Sequence, residues 1–316
     1  MTAVKKTPIV TILMATYNGE RFVAEQLDSL LTQTYRNIRI VISDDCSADK
    51  TWSILEKYAQ RYPSVISIGQ RACNSGSPWR NFMELMTGND GDYLMLCDQD
   101  DVWNREKVER SLKKVMQLEA LNGKTTPVLV HTDLCVTDER LNVTAASFKK
   151  TMNADYGKTT LNYVLIQNIV TGCTAIYNRA LSEKIRSIPD YMIMHDWWLL
   201  LAASAFGVVD HLDEPTMLYR QHGGNDVGAQ DTRTLAYKVK RLMNGGQIRQ
   251  VLQNTVEQAR AFRKEFGPEL NRRNAALVEA YIQMGECRKL KAVRIAAKNR
   301  FWKNTLVRKL GQLLFM

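Results

Sequence analysis

The first half of the chain alternates short apolar runs with patterns of helical period, and this alternation constrains its fold more than any other feature. Residues 9–14 form a nearly continuous apolar run of strand length, as in a central strand that is covered on both faces. Apolar residues then recur at spacings of three and four as far as Leu31, and residues 38–42 form the next strand-like run. A strand, a helix and a second strand of this kind make a β-α-β unit with parallel strands.

The same cycle continues as far as residue 131. Further helices are expected at residues 49–62, 78–87 and 105–121, and further strands at residues 65–68, 93–97 and 128–131. This order predicts an α/β fold with a mostly parallel, Rossmann-like sheet that is flanked by helices. Ligands bind such sheets beyond the carboxyl ends of the strands. Polar residues that directly follow a strand are therefore the first candidates for function.

The pattern changes in the second half of the chain. Residues 133–170 are less regular, and from about residue 235 the strand signals give way to helical ones. We therefore expect an α/β domain at residues 1–232, with halves at about 1–125 and 126–232, and a helical appendage at residues 233–316. Residues 235–316 hold 18 lysines and arginines against 5 aspartates and glutamates, so the net charge of +10 lies in this appendage.

The composition excludes several classes of protein. The six cysteines form no C-x-x-C pair, so neither a zinc knuckle nor a dense disulfide framework is indicated. Residues 1–8 lack an apolar core and a cleavage site, which predicts an uncleaved, cytosolic start. No stretch approaches the roughly 20 apolar residues that span a bilayer. We expect a chain that does not cross a membrane by itself.

An acidic cluster, Asp98-Gln99-Asp100-Asp101, directly follows the predicted strand at residues 93–97. Carboxylates on an extended segment suit a hard cation such as Mg²⁺ or Mn²⁺, which takes further ligands from phosphate oxygens. Asp90-Gly91-Asp92 has the same spacing but precedes the strand, and only its position sets it apart. The structural alternative for residues 98–101 is a solvated acidic loop that caps the following helix.

Polar side chains follow the first two strands in the same way: Tyr17, Asn18, Glu20, Asp44, Asp45 and Ser47. The three strand ends would then share one rim of the sheet. An aromatic ring there can stack on a base, carboxylates can accept hydrogen bonds from base or ribose, and a cation can neutralise a diphosphate. The alternative is that the two aspartates and the serine form a turn and the N-cap of the helix near Thr51.

Three segments, residues 10–19, 41–51 and 97–103, closely resemble in their order the family 2 glycosyltransferases of the GT-A fold. The resemblance covers about residues 8–225. It implies a metal-dependent, inverting glycosyltransferase that binds Mn²⁺ or Mg²⁺, with a nucleotide-sugar half and an acceptor half. Cys46 stands where the family usually has glycine, and we expect a turn that needs no positive φ.

The resemblance also assigns site residues. Those assigned to the nucleotide-sugar donor are Thr16, Tyr17, Asn18, Glu20, Asp44, Asp45, Asn74, Arg80, Asn81, Asp98, Gln99, Asp100 and Gly172. Those assigned to the metal are Asp98, Asp100, Asp101 and His222. For the histidine, a structural role is the alternative.

The segment His195-Asp196-Trp197-Trp198 resembles the part of the family that carries the catalytic base, and Asp196 is the residue expected in that role. An inverting transfer is one in-line displacement, so a single carboxylate suffices to take the acceptor proton. The alternative for Asp196 is an N-cap on the apolar helix at residues 197–206. Trp197 and Trp198 either stack on sugar faces or lie in the core.

His131 and Asp133 are further candidates for acceptor contacts. His131 ends the predicted strand at residues 128–131 and Asp133 follows it closely, and no motif assigns them a defined role.

Residues 287–316 carry apolar side chains near helical spacing with basic residues between them. This pattern predicts one basic amphipathic helix on an anionic membrane surface. The alternative is a helix packed on the α/β domain or on a partner subunit. Membrane binding and subunit contact are compatible if a homodimer presents two such helices to the membrane.

Relatives with the D-Q-D-D-V-W and H-D-W-W segments resemble rhamnosyltransferases of bacterial surface polysaccharide assembly. The resemblance implies transfer of L-rhamnose from dTDP-L-rhamnose to a lipid-linked saccharide at the cytoplasmic face of the cell membrane. A UDP-sugar donor of galactose, glucose or an N-acetylhexosamine is the nearest alternative. A nucleotidyltransferase would need a phosphate loop that residues 15–20 lack, and a nucleic-acid-binding protein would use the basic appendage. We expect no nucleic acid partner.

Overall fold

The structure is a computed structural model, which describes residues 7–223 and 245–316. The expected uncleaved start at Met1 and the expected boundary after residue 232 lie outside the described residues. Contacts within the chain define two compact units. In the described ranges, the first unit comprises residues 7–147, 171–188 and 211–223, and the second comprises residues 148–170, 189–210 and 245–316.

The strands form one sheet of nine members in the described part of the chain. Their bounds are β1 (Val10–Thr16), β2 (Ile38–Asp44), β3 (Ile66–Gln70), β4 (Tyr93–Cys97), β5 (Val102–Trp103), β6 (Val128–Thr137), β7 (Val143–Ala145), β8 (Ile176–Asn178) and β9 (Val208–Arg220). The sheet order is β3-β2-β1-β4-β8-β6-β9-β5, and β7 pairs with β6.

The helices of the described residues are divided between the two units. Their bounds are α1 (Val23–Leu31), α2 (Thr51–Arg61), α3 (Pro78–Gly88), α4 (Lys107–Asn122), α5 (Phe148–Met152), α6 (Leu161–Val164), α7 (Arg179–Ser182), α8 (His195–Phe206), α9 (Gly245–Phe266), α10 (Arg272–Glu286), α11 (Lys289–Asn299) and α12 (Leu306–Phe315). Short 3-10 turns lie at Gly172–Thr174 and Gly267–Glu269.

The α/β architecture expected from the sequence is confirmed. β1 pairs in parallel with β2 and β4, and β2 pairs in parallel with β3. The apolar runs at residues 12–14 and 94–96 are fully buried, as expected for central strands. The sequence did not reveal β8, which is antiparallel to both β4 and β6. Its three residues are too few for a periodic signal.

The second unit has a helical core. Trp198 of α8 packs edge-on against Phe262 of α9 at 5.5 Å between ring centroids. Tyr281 of α10 donates or accepts a hydrogen bond of 2.8 Å with Thr255 of α9, and its ring meets that of Phe301 at 5.0 Å. These contacts join α8, α9 and α10 to the segment that precedes α12.

The prediction of one continuous helix at residues 287–316 is wrong. α11 ends at Asn299, and Arg300 takes a left-handed conformation with φ of 59°. That conformation stops an α-helix because it turns the chain away from the helix axis. Phe301 follows immediately and is fully buried, so the change of direction places its ring in the core.

We find that none of the helices within residues 7–223 and 245–316 combines the length and the apolar composition needed to cross a membrane.

The crossing of α9 and α10 depends on a glycine. A Cβ atom on Gly285 would lie 2.5 and 2.9 Å from the two methyl groups of Val256, whose side chain is stiff in a helix. Gly285→Ala should therefore lower the free energy of unfolding by about 1 to 3 kcal/mol in urea titrations. Gly88→Ala is the matched control, since it also lies at the end of a helix but meets nothing within 4 Å. It should be neutral or stabilise by about 1 kcal/mol. Equal effects of the two changes would contradict this account of the crossing.

Candidate active site

Three neighbouring strands end at one edge of the sheet. Thr16 at the end of β1 is in register with Asp44 at the end of β2, and Met14 is in register with Cys97 at the end of β4. The Asp45 backbone N–H donates to the Thr16 carbonyl at 2.8 Å. The residues that follow β1, β2 and β4 therefore leave the sheet side by side.

Tyr17 is held through its backbone. Its N–H donates to Gln99 Oε1 and its carbonyl accepts from Gln99 Nε2, both at 2.8 Å. Gly19 lies against the Gln99 amide group so closely that a Cβ atom would overlap with it. The Tyr17 residue is 48% exposed. A fixed backbone with a half-exposed ring is a suitable platform for stacking an aromatic base.

Asn18 and Glu20 join the loop after β1 to the loop after β2. Asn18 donates through its backbone N–H to Ser47 Oγ and accepts from the Ala48 N–H, both at 2.9 Å. Glu20 accepts from the Lys50 N–H at 3.0 Å. The structure thus gives both residues a clear positioning role at the rim.

Asp44 is buried and accepts four hydrogen bonds. Its Oδ1 accepts from Thr16 Oγ1 at 2.8 Å and from Ser47 Oγ at 2.6 Å. Its Oδ2 accepts from the Ser47 N–H at 2.9 Å and from Gln70 Nε2 at 3.1 Å. The turn role expected as an alternative is therefore present. The N-cap role is wrong, because Lys50 is the N-cap of α2 and makes no side-chain cap bond.

The expectation for Cys46 is also wrong. Its φ is 63°, in the left-handed region where a side chain is unfavourable. The hydrogen bonds of Asp44 to Ser47 close the turn around Cys46 and impose this conformation. The turn therefore needs a positive φ at this position although the residue is a cysteine.

Asp45 holds the loop that precedes α3. Its Oδ1 accepts from the Ser75 N–H and its Oδ2 from Ser75 Oγ, each at 2.7 Å. Asn74 donates from Nδ2 to the Asp45 carbonyl at 3.1 Å. Asn81 is buried and donates to the Ser43 carbonyl at 2.9 Å, which fixes α3 to β2. Arg80 is exposed beside Trp79, where its charge is accessible to an anion.

The acidic cluster divides into two groups. Asp100 Oδ2 lies 2.8 Å from His222 Nε2, across 122 residues of sequence. Asp98 and Asp101 form a second group with Cys173, in which one ligand atom from each residue lies within 4.8 Å of the others. Gly172, the candidate donor-sugar residue, begins the 3-10 turn that carries Cys173.

The chemistry of these groups fits a cation. Burial, together with the charges of Asp100 and Asp98, raises the pKa of Asp101 well above its ordinary value. Its Oδ2 is buried, and no hydrogen bond reaches it from the described residues. Burial also raises the pKa of the Cys173 thiol, which keeps it protonated and unsuited to a hard cation. The oxygens of the cluster and His222 remain as the donors for Mg²⁺ or Mn²⁺.

Arg220 is a site residue that the sequence reasoning missed. It is the last residue of β9, and its side chain is buried. Its backbone N–H donates to Asp101 Oδ1 at 3.0 Å, and its Nε donates to the Asp100 carbonyl at 2.8 Å. The only sequence signal was its place two residues before His222.

The rest of the Arg220 guanidinium reaches other parts of the first unit. It donates to the Glu139 carbonyl at 2.6 Å, pairs with Glu25 of α1, and stacks on Phe22 at 4.7 Å. The His222 ring also meets Phe22, at 4.8 Å. Arg220 therefore positions both the acidic cluster and the strand end that carries His222.

The two acceptor candidates on β6 occupy interior positions. His131 is fully buried, with its ring 5.8 Å from that of His211. Asp133 is buried and accepts from the Leu134 N–H at 2.9 Å and from Ser147 Oγ. The structure therefore adds no support for acceptor contacts by these two residues.

Asp196 lies in the first turn of α8, in the second unit. The helix begins at His195 and Met194 is its N-cap, so the N-cap alternative for Asp196 is wrong. Its Oδ1 accepts from Asn168 Nδ2 at 3.0 Å, and Asn168 is itself fixed by the Val170 N–H. A carboxylate in the first turn is stabilised by the helix dipole.

The residues next to Asp196 in α8 are buried. Trp197 donates from Nε1 to the Val164 carbonyl at 2.7 Å, and both Trp197 and Trp198 are buried. The core alternative for the two tryptophans therefore matches the structure. Burial lowers the pKa of His195 to about 3, so its imidazole is neutral at physiological pH.

Comparison with known proteins identifies similar sequences. The family model described as Glycosyl transferase family 2 matches residues 11–186. The chain is 30% identical over 239 residues to a Shigella flexneri protein described as dTDP-rhamnosyl transferase RfbG. That match covers 71% of this chain and 77% of the relative.

Similar solved structures support the same fold. Staphylococcus aureus TarS 1-349 in complex with UDP-GlcNAc matches with a TM-score of 0.55 at 16% identity, over 96% of this chain and 90% of that chain. The mannosyltransferase PcManGT from Pyrobaculum calidifontis, in complex with GDP-Man and Mn²⁺, matches with a TM-score of 0.52 at 16% identity. That match covers 98% of this chain and 84% of the other. The fold is that of GT-A glycosyltransferases.

The contacts of Arg220 predict a large effect of a conservative change. Arg220→Lys keeps the charge but loses the planar set of donors, so it should lower the free energy of unfolding by about 2 to 4 kcal/mol in urea titrations. Arg110→Lys is the control, because Arg110 is half-exposed in pairs with Glu106 and Glu214. It should change stability by less than about 1 kcal/mol. A small effect at position 220 would show that the acidic cluster does not need this arginine.

Proposed function

The chain belongs to glycosyl transferase family 2, and on that premise we propose that it transfers L-rhamnose from dTDP-L-rhamnose to a hydroxyl of a lipid-linked saccharide. Glycosyl transfer follows from the family, and the rhamnosyl donor is supported by the 30% identity to the Shigella protein. The structural observation that carries the proposal is the shared rim, where Tyr17, Asp45 and the acidic cluster follow three adjacent strands.

At this rim the donor would bind in an extended manner. The Tyr17 ring would stack on the thymine base, and the polar loop that Asp45 holds at Asn74 and Ser75 would border the nucleoside. The Arg80 side chain is exposed at the start of α3 and would pair with a phosphate. Asp98 would accept a hydrogen bond from the sugar of the nucleoside.

Asp100 and His222 are the residues that would hold Mn²⁺ or Mg²⁺, with Asp98 and Asp101 beside them. A bound divalent cation would stabilise the negative charge that develops on the leaving diphosphate. Arg220 would keep the Asp100 backbone and the His222 segment at a constant separation, so the site would need little reorganisation when the donor binds.

Asp196 is the proposed base. Its carboxylate would take the proton of the acceptor hydroxyl as that oxygen forms a bond to the anomeric carbon. The bond from that carbon to the diphosphate breaks in the same step, and the configuration inverts. The Asn168 hydrogen bond would orient the carboxylate, and the buried tryptophans after it would limit access of water.

A UDP-hexose is the second candidate donor. The observation that favours it is the structural match to TarS, which binds UDP-GlcNAc. The two donors differ in the 2′-hydroxyl and the 5-methyl group of the nucleoside, so competition between dTDP and UDP distinguishes them. The lipid-linked acceptor would place the enzyme at the cytoplasmic face of the cell membrane of a bacterium, in synthesis of a surface polysaccharide.

The proposal is tested by supplying the purified protein with Mn²⁺ or Mg²⁺, a lipid-linked acceptor and a panel of dTDP-, UDP- and GDP-sugars. Release of dTDP from dTDP-L-rhamnose, dependent on acceptor, is the expected result. Release of UDP alone would replace rhamnose by a hexose. No release from any donor would overturn the proposed activity.

Asp196→Asn should lower kcat by about 10² to 10⁴-fold, because the amide cannot accept the hydroxyl proton. Stability should change little, since Asn168 can still donate to the amide oxygen. Asp190→Asn, an exposed partner of Lys264 in the same unit, is the control and should leave kcat unchanged. Full activity of the variant at position 196 would exclude it as the base.

The metal site is tested by comparing two variants, each of which changes one aspartate of a D-x-D triplet. Asp100→Asn should abolish the thermal stabilisation that nucleoside diphosphate and Mn²⁺ together confer on the wild-type protein. Asp90→Asn changes an exposed carboxylate that only pairs weakly with Arg39, at 3.4 Å, and should retain the full shift. A normal shift in the variant at position 100, or the same shift after removal of metal with EDTA, would contradict the proposed role.

A further inference from the structure

The last helix, α12, has exposed leucines on one side. Leu306, Leu310 and Leu314 recur every four residues along α12 and are 76%, 52% and 57% exposed. Leu290 of α11 is 79% exposed. We call these four residues the leucine face. An exposed row of large apolar side chains on one helix face is unusual for a surface that meets only water.

The opposite side of α12 is firmly packed in the second unit. Gln312 is buried, donates from Nε2 to the Phe301 carbonyl at 2.7 Å and accepts from the Lys303 N–H at 3.2 Å. Phe315 lies tightly against Gly245 at the start of α9. Because these contacts fix the orientation of α12, the leucines point outward as part of the fold.

The leucine face lies in a strongly basic segment of the chain. Residues 287–316 contain no aspartate or glutamate and nine basic residues: Arg288, Lys289, Lys291, Arg294, Lys298, Arg300, Lys303, Arg308 and Lys309. Lys289 donates from Nζ to the Leu314 carbonyl at 3.0 Å, which places the start of α11 beside the last turn of α12. Apolar and basic side chains thus occur together on one part of the unit.

We propose that the leucine face binds the surface of an anionic lipid bilayer. The leucines would enter the boundary between headgroups and acyl chains, and the exposed lysines and arginines of the segment would contact anionic headgroups. α12 has ten residues and is about 15 Å long, so it would lie along the surface. This inference rests on the proposed function, because a lipid-linked acceptor would be presented to the enzyme at such a surface.

Charge selects the bilayer over a second copy of the chain. Association of two leucine faces would bring together two segments that carry basic residues and no aspartate or glutamate. Like charges at a contact oppose association. An anionic surface would instead be attracted to the same residues, by an amount that salt reduces.

Binding to vesicles tests the inference without donor, metal or turnover, so its failure is distinguishable from failure of the proposed activity. The full chain should sediment with vesicles of phosphatidylcholine and phosphatidylglycerol, and at least tenfold less with phosphatidylcholine alone. The triple variant Leu306→Gln, Leu310→Gln, Leu314→Gln should lower binding to the anionic vesicles at least tenfold. In a separate control with donor, metal and detergent-solubilised acceptor, its release of nucleoside diphosphate should equal that of the wild-type protein.

Leu121→Gln is the matched control, because Leu121 is also exposed but lies on α4 of the first unit. It should bind anionic vesicles like the wild-type protein. Raising the salt concentration to 0.5 M shortens the Debye length to between about 3 and 8 Å, so it should weaken the binding of both proteins to anionic vesicles. Equal binding by the triple variant and the wild-type protein would overturn the inference. So would a dimer in sedimentation equilibrium that the triple variant abolishes while vesicle binding persists, since the leucine face would then join two copies.

Discussion

The parallel register of β1, β2 and β4 is the constraint on which the site depends. Thr16 lies opposite Asp44, and Met14 opposite Cys97, so the three strands stop within a few residues of one another. Every backbone group in a buried strand needs its ladder partner, so a shift of one residue would cost hydrogen bonds and reverse the buried faces. The register therefore holds Tyr17, Asp45 and Asp98 at one rim of the sheet.

A second constraint comes from far along the chain. The antiparallel pairing of β5 with β9 brings Arg220 to the acidic cluster, where its backbone and its guanidinium hold Asp101 and Asp100. A buried arginine is stable only when its donors are satisfied, and carbonyls and Glu25 supply the partners here. The same strand end then presents His222 to Asp100. The resulting site combines the carboxylates of Asp100 and Asp101 with the Arg220 guanidinium and the His222 imidazole, which are far from them in sequence.

The sequence predicted the large elements well and the small ones poorly. Long apolar runs and amphipathic helices gave β1, β2, β4 and α1 to α4, because burial of many side chains enforces one period. The turn at Cys46 and the break at Arg300 were predicted wrongly. In each case a non-glycine residue takes a positive φ that its neighbours impose, through Asp44 in one turn and burial of Phe301 in the other. Local propensity carries no information about such imposed conformations.

By itself, the sequence determined the α/β fold, the family and the rim that carries Tyr17, Asp45 and the acidic cluster, because these depend on local periodicity and on motifs that follow strands. Only the tertiary structure decided that Asp44 is buried and holds the turn by hydrogen bonds. It also decided that Asp100 pairs with His222, while Asp98 and Asp101 lie near Cys173. The contacts of Arg220 with Asp100 and Asp101 were likewise visible only in the structure. The structure also decided that Phe301 of the basic segment is buried while Leu306, Leu310 and Leu314 are exposed. These properties arise from contacts between residues far apart in the chain, and spacing along a sequence does not encode the distance between such residues in space.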